Sequence, residues 1–235
     1  MDSDRVIRHY YGDALGEMKN EENFKSTFSY AEDKINIEKS IRRYGGFFVG
    51  RYETTYDNLD NNGIPQGIGV KPNKFVLKTG DILKPNKANG SREKYNYRWF
   101  GLYKAQKDIY KENSNVGSLM ITSKQWDEIM EFTKYNNITR AANTYTNKPD
   151  LSGAAYNTDS TKNDKEKNIY DLAGNLKEWT LKKSSNHYRV IRGGDYNNIN
   201  SAGYNTEDLS ASSDFNKSPY EAASYTGSRT ALYIK

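Results

Sequence analysis

The sequence predicts a domain of mixed α-helix and β-strand. One segment alternates as a strand does, two later segments have helical spacing, and long Asn-, Gly- and Pro-rich stretches lie between them. At 235 residues the chain fits one domain, or one domain with an appendage. We expect residues 45–235 to form that domain and residues 1–44 to form a helical N-terminal extension.

The extension is predicted from the segment 20–46. Its apolar residues recur among charged ones at imperfectly helical intervals, namely Phe24, Phe28, Ile35, Ile37 and Ile41. Gly45 and Gly46 follow and are expected to end the helix.

The first strand is predicted over Phe47–Thr55, where successive residues alternate between two different faces. Residues 56–95 are rich in Asn, Gly and Pro. They predict a long loop that holds one short hairpin around Ile68–Lys78.

Two helices follow, the first over about 96–110. The second begins at Thr122 or Ser123, either of which is a suitable N-cap, and runs to about residue 136. Spacings of three and four place one set of its residues on a common face, namely Trp126, Ile129, Met130 and Thr133.

Three later segments occur in a characteristic order: NIYDLAGNLKEWT (168–180), RVIRGGDY (189–196) and GSRTALYIK (227–235). They resemble the core of the formylglycine-generating enzyme (sulfatase-modifying factor) family. GRYETT (50–55) and SLMITSKQWDEIMEF (118–132) are similar to two further segments of that family. The resemblance implies an α+β fold of the C-type lectin-like kind, with small twisted sheets, two main helices and much ordered loop.

The same resemblance implies a calcium site. The family holds calcium at positions that match Asp171, Gly174, Leu176 and Glu178, and carboxylate and carbonyl oxygens are the hard ligands that calcium prefers. The alternative is that Asp171 caps a turn and that Glu178 pairs with Arg192 or with a lysine.

Other residues of these motifs have structural interpretations. Trp179 is expected in the core, and Gly193 with Gly194 at a close approach of backbone. Arg192 and Arg229 are expected to be internal struts to carboxylates.

The chain has no cysteine, which removes thiolate metal sites and thiol nucleophiles. The family's enzymes oxidise a substrate cysteine and hold copper with their own cysteines, so that chemistry is excluded here. Only two histidines are present, His9 and His187, and a histidine-rich metal site is therefore out of reach.

The segment 195–226, called here the polar segment, carries the functional signal. It consists mostly of Asn, Ser, Thr, Asp and Tyr and has almost no aliphatic residue. Paratopes have this composition, because Tyr supplies contact area and Ser and Asn supply adaptable hydrogen bonds. The predicted ligand-binding residues are Asp195, Tyr196, Asn198, Asn200, Tyr204, Asn205, Asp214, Asn216, Tyr220 and Tyr225. A merely solvating loop is the alternative.

The composition also bounds the partners and the location. A net charge of +5 does not demand nucleic acid, and no long apolar run predicts insertion into a membrane. No signal peptide opens the chain, and the codon-linked composition suggests an AT-rich bacterial or phage genome. A protein or glycan ligand on a cell surface is the expected partner, and the cell surface or a phage virion the favoured location.

The sequence thus predicts a non-catalytic display protein. It resembles the variable proteins of diversity-generating retroelements, and a phage receptor-binding protein or an adhesin would also fit. One alternative is an enzyme of the same superfamily with altered chemistry. Another is an interaction domain in which the N-terminal helix contacts the partner.

Overall fold

The computed structural model describes residues 30–61, 65–83, 94–97, 99–133, 157–158, 165–172, 174–185, 188–195, 214–217 and 225–235. Its helices are α1 (Tyr30–Tyr44), α2 (Trp99–Asp108) and α3 (Ser123–Thr133). The strands are β1 (Phe48–Val49), β2 (Thr55–Tyr56), β3 (Asn58–Leu59), β4 (Pro65–Gln66), β5 (Phe75–Val76), β6 (Gly80–Leu83), β7 (Lys94–Tyr97), β8 (Val116–Met120), β9 (Lys165–Glu166), β10 (Ile169–Tyr170), β11 (Lys177–Ser185), β12 (Tyr188–Arg192), β13 (Asp214–Lys217), β14 (Thr226–Ser228) and β15 (Thr230–Ile234). In the part of the chain that the structure describes, no helix is long and apolar enough to cross a membrane.

The strands form several small sheets, and the predicted α+β fold class is confirmed. One sheet has the order β1-β15-β8, so the last strand lies between an early one and a central one. A second sheet has the order β13-β12-β11-β14 and is antiparallel except where β11 pairs with β14. Two-stranded pairs make up the rest, namely β2-β5, β3-β4, β6-β7 and β10-β9.

Helix α3 begins and packs as its sequence predicts. The backbone N–H of Gln125 donates to Thr122 Oγ1 at 3.0 Å, and the N–H of Thr122 donates to Gln125 Oε1 at 2.9 Å. This reciprocal pair is a capping box with Thr122 as the N-cap. The predicted apolar face is confirmed, since all four of its residues are buried.

Aromatic rings fill the core between the helices and the sheets. Trp99, Trp126 and Trp179 are all completely buried, which confirms the core position predicted for Trp179. The ring of Trp99 stacks on Tyr103 with centroids 5.4 Å apart, and its indole N–H donates to the carbonyl of Thr180 at 2.9 Å. A few large rings therefore supply the apolar volume that the low aliphatic content does not.

The predicted strand over Phe47–Thr55 is wrong beyond its first residues. Only Phe48–Val49 is a strand, and four successive residues from Tyr52 are all buried, so no alternation is kept. The chain leaves the first sheet near Gly50 and starts a new pairing at Thr55, which lies opposite Val76. This course buries the side chain of Glu53 inside the protein.

Two other local predictions are also corrected by non-local pairing. The hairpin expected around Ile68–Lys78 does not form, because Phe75 and Val76 pair with the distant strand β2. The helix expected from about residue 96 begins at Trp99, because Lys94–Tyr97 is a strand that pairs with β6.

Helix α1 packs on the domain through its described residues. Ile37 is buried in the main core, and Asp33 accepts a hydrogen bond from Lys107 Nζ at 2.7 Å. The N–H of Ile234 donates to Ser40 Oγ at 3.0 Å. Residues 1–29 lie outside the described residues, and the predicted boundary at residue 45 stays a prediction.

Candidate functional site

A fully buried ion pair joins strand β11 to the start of β15. Arg229 Nη2 donates to Glu178 Oε1 at 2.6 Å, and Nε donates to Oε1 and Oε2 at 3.0 and 3.1 Å. The guanidinium also donates to the carbonyls of Gly50 and Tyr170, at 2.9 and 2.7 Å. Burial alone would lower the pKa of Arg229, but its pairing with Glu178 raises it. Arg229 is thus the internal strut that the sequence predicts.

Glu53 adds a second carboxylate to this cluster. Its Oε2 accepts from Asn175 Nδ2 at 2.5 Å, and its Oε1 accepts from the N–H of Leu176 at 3.1 Å. Burial raises the pKa of Glu53 well above its ordinary value, and the charges of Asp171 and Glu178 raise it further. With all groups ionised the four side chains of the cluster would carry three negative charges and one positive charge. A proton on Glu53 relieves part of that excess.

The sequence gives no local signal for Glu53. It lies in the segment predicted as an alternating strand, and its partners are more than a hundred residues away in the chain. The motif that contains Asn175 and Glu178 marks only one side of the cluster.

The residues predicted to bind calcium meet this cluster in part. Asp171 is buried and has a left-handed backbone, with φ of 58°, and its charge acts on Glu53 together with that of Glu178. Hard oxygen donors therefore converge as calcium needs. Both oxygens of Glu178, however, accept from Arg229, so an ion there has to compete with the guanidinium. Calcium at these residues stays a prediction.

Gly193 confirms the close backbone approach expected at the RGG motif. Its φ is +79°, and a Cβ at this position would lie 2.8 Å from the carbonyl oxygen of Leu172. Only glycine adopts this conformation and fits this space without strain. The preceding Arg192 donates from Nη2 to Asp127 Oδ1 of α3 at 2.5 Å, which is the predicted carboxylate strut.

Lys177 contacts both ends of the polar segment. Its ammonium pairs with Asp195 Oδ2 at 2.8 Å, and both side chains are almost fully buried. Its backbone N–H donates to the carbonyl of Tyr225 at 2.9 Å, and its Nζ lies 5.7 Å from the centroid of the Tyr225 ring. The segment therefore leaves and rejoins the protein at one residue of the central strand β11.

The predicted ligand-binding residues are placed only in part. Asp195 is buried in the ion pair with Lys177 and belongs to the base of the segment. Tyr225 is half-buried at the other end. Asp214 and Asn216 lie in β13, which pairs with β12. The remaining residues lie outside the described residues, namely Tyr196, Asn198, Asn200, Tyr204, Asn205 and Tyr220.

A groove of about 810 Å³ lies between α1 and α3. Its wall is mainly apolar and includes Ile41, Val49, Ile129 and Ile169. No residue of the buried carboxylate cluster is among its lining residues. The groove is therefore separate from that cluster.

No protein-family model matches the chain, and no curated protein matches it. Three solved structures are similar to it. CarF is 14% identical with a TM-score of 0.40, over 80% of this chain and 86% of that chain. Variable protein 1 of Treponema denticola is 16% identical with a TM-score of 0.44, over 80% and 84%. PvdO from Pseudomonas aeruginosa is 13% identical with a TM-score of 0.36, over 79% and 92%. Likenesses at this level carry no argument about function.

Proposed function

We propose that this protein is a non-catalytic ligand-binding protein that displays its polar segment to a partner. The observation that carries the proposal is the attachment of both ends of the segment to Lys177. Asp195 is held by a buried ion pair, and Tyr225 by a backbone hydrogen bond and its ring. A binding site on a long loop needs a rigid base of this kind, because ordering the loop on binding costs affinity.

The composition of the polar segment supports the same function. Its tyrosines supply large contact areas at low entropic cost, and its Asn and Ser residues supply adaptable hydrogen bonds. We propose a protein or glycan on a cell surface as the partner. A retroelement-diversified variable protein, a phage receptor-binding protein and an adhesin all work in this way.

The second candidate is an enzyme of the formylglycine-generating enzyme superfamily with altered chemistry. The observation in its favour is the buried cluster with the raised pKa of Glu53, since shifted pKa values are typical of catalytic groups. Against it, Glu53, Glu178 and Arg229 are completely buried. The groove is lined by other residues, so substrate in the groove would not reach them. Display therefore accounts better for the described geometry.

Binding to arrays of cell-surface glycans and of surface proteins tests the proposal. We expect Tyr196→Ala or Tyr204→Ala to raise the dissociation constant for a bound partner by about tenfold or more, since truncating a binding hot spot costs roughly 2 kcal/mol. Tyr110→Ala is the matched control, because Tyr110 is exposed but lies outside the polar segment. Equal affinity of all three variants with an unchanged melting temperature would contradict the proposal.

The finer assignment to a retroelement has its own test. A near-identical template repeat beside a reverse transcriptase gene, next to the coding sequence, would support it. Sequences of the polar segment from sister isolates should then differ at adenine-rich codons and agree elsewhere. Identical segments throughout would count against diversification and leave the display proposal intact.

A further inference from the structure

The groove between α1 and α3 has the size and lining of a small-molecule site. Its volume of about 810 Å³ lies within the range of roughly 300–1,000 Å³ that is usual for such sites. Apolar side chains line it from both helices and from the segment around β1, including Ile41, Val49 and Ile129. Phe132 lies at its edge and is 58% exposed.

Gln125 supplies a polar group to this wall. Its side chain is 2% exposed, and its Oε1 accepts from the N–H of Thr122 in the capping box. Among the described residues, no hydrogen-bond acceptor meets its Nε2. A buried donor without an acceptor costs about 1–3 kcal/mol, so a ligand that brings an acceptor to Gln125 would recover that free energy.

The charged residues that line the groove cancel one another. Helix α1 contributes Glu38 and Arg42, and helix α3 contributes Lys124 and Glu128. With two acidic and two basic residues, the groove carries no net charge that would attract a cation or an anion. The complementary occupant is therefore an uncharged molecule.

We propose that this groove binds an uncharged, mainly apolar small molecule that carries a carbonyl or a similar acceptor for Gln125 Nε2. A partner helix fits less well, because its backbone carbonyls already accept intrahelical hydrogen bonds and cannot serve Gln125. None of the described residues of the polar segment lines the groove. The site is thus independent of the display function, and either proposal can fail without the other.

Fluorescence titration with Nile red tests the proposal on the full chain. This probe is uncharged and apolar, carries one carbonyl acceptor, and brightens when it leaves water. We expect saturable binding at one site. Charged anilinonaphthalene sulfonate, which is apolar but anionic, should compete poorly with it.

Two variants locate the bound probe. Ile41→Glu places a charge in the groove, and we expect the dissociation constant for Nile red to rise about tenfold or more. Ile35→Glu is the matched control on the same helix, because Ile35 is 47% exposed and does not line the groove. Gln125→Glu keeps an acceptor for Thr122 and removes the donor, so it tests the site even where Ile41→Glu loses its fold by circular dichroism.

Three results would overturn the proposal. The first is no saturable binding of Nile red to the unaltered protein. The second is unchanged affinity in a folded Ile41→Glu or Gln125→Glu variant. The third is a dimer by light scattering that Ile41→Glu converts to a monomer, which would make the groove an interface between two copies of this chain.

Discussion

Glu178 and Arg229 form a two-oxygen ion pair with no exposure to solvent, 51 residues apart in the chain. A buried ion pair is costly to desolvate, and breaking it by removing one partner leaves an uncompensated charge. Here the guanidinium also binds the carbonyls of Gly50 and Tyr170. The pair therefore joins three separate parts of the chain and fixes their relative positions.

Arg229→Met should destabilise the protein by about 3–5 kcal/mol, as expected for the loss of one partner from a buried pair. It leaves Glu178 beside Asp171 and Glu53 with no cation. The double variant Glu178→Gln with Arg229→Met should recover a large part of that loss, because it removes the orphaned charge as well. Urea unfolding measures all three proteins and the parent. Additive effects of the two changes would show that the pair is not energetically coupled.

Stability should fall as the pH rises from about 5 to 8, and Glu53 is the expected source. Burial and the neighbouring Asp171 and Glu178 raise the pKa of Glu53 in the folded protein, whereas the unfolded chain has the ordinary value near 4.3. Between these two pKa values the folded protein holds a proton that the unfolded chain has released. This contribution is complete below the unfolded pKa and is lost as the pH rises through the folded one.

Glu53→Gln should remove this dependence and be relatively more stable at pH 8. The amide carbonyl can still accept from the N–H of Leu176. Each unit of pKa difference corresponds to about 1.4 kcal/mol. The measurement is the free energy of unfolding in urea at a series of pH values. Parallel curves for the parent and Glu53→Gln would assign the pH dependence to another group.

Lys177→Met should loosen both ends of the polar segment. It leaves Asp195 buried without its cation and removes the contact with the Tyr225 ring. We expect faster cleavage within residues 196–224 in limited proteolysis, together with a lower melting temperature. Lys71→Met is the control, because its ion pair with Asp57 is largely exposed and such pairs contribute little. Equal cleavage of the two variants would refute the anchoring role of Lys177.

The calcium prediction at Asp171, Gly174, Leu176 and Glu178 is tested by melting curves with calcium and with a chelator. Calcium that binds only the folded state should stabilise it by roughly 2.7 kcal/mol at a hundred times its dissociation constant. Magnesium is the control ion, since its smaller octahedral shell suits these ligands less well. The same melting temperature under all conditions would leave Arg229 as the cation that neutralises Glu178.

Patterns within one segment were predictable from the sequence. The cap at Thr122 and the buried face of α3 follow from the fixed helical period, so neighbouring residues are enough to predict them. Gly193 follows from the conformations open to glycine alone. The composition of the polar segment likewise needs no structure to be seen.

Contacts between distant segments were decided by the tertiary structure alone. Glu53 was predicted in a plain strand, but it meets Asn175 across 122 residues and is buried there. The strand at Lys94–Tyr97 replaced the predicted start of a helix because β6 pairs with it. Lys177 became the base of the polar segment because β11 lies between β12 and β14. Such contacts depend on which surfaces the packed chain brings together, and the residues next to each one in sequence carry no record of that choice.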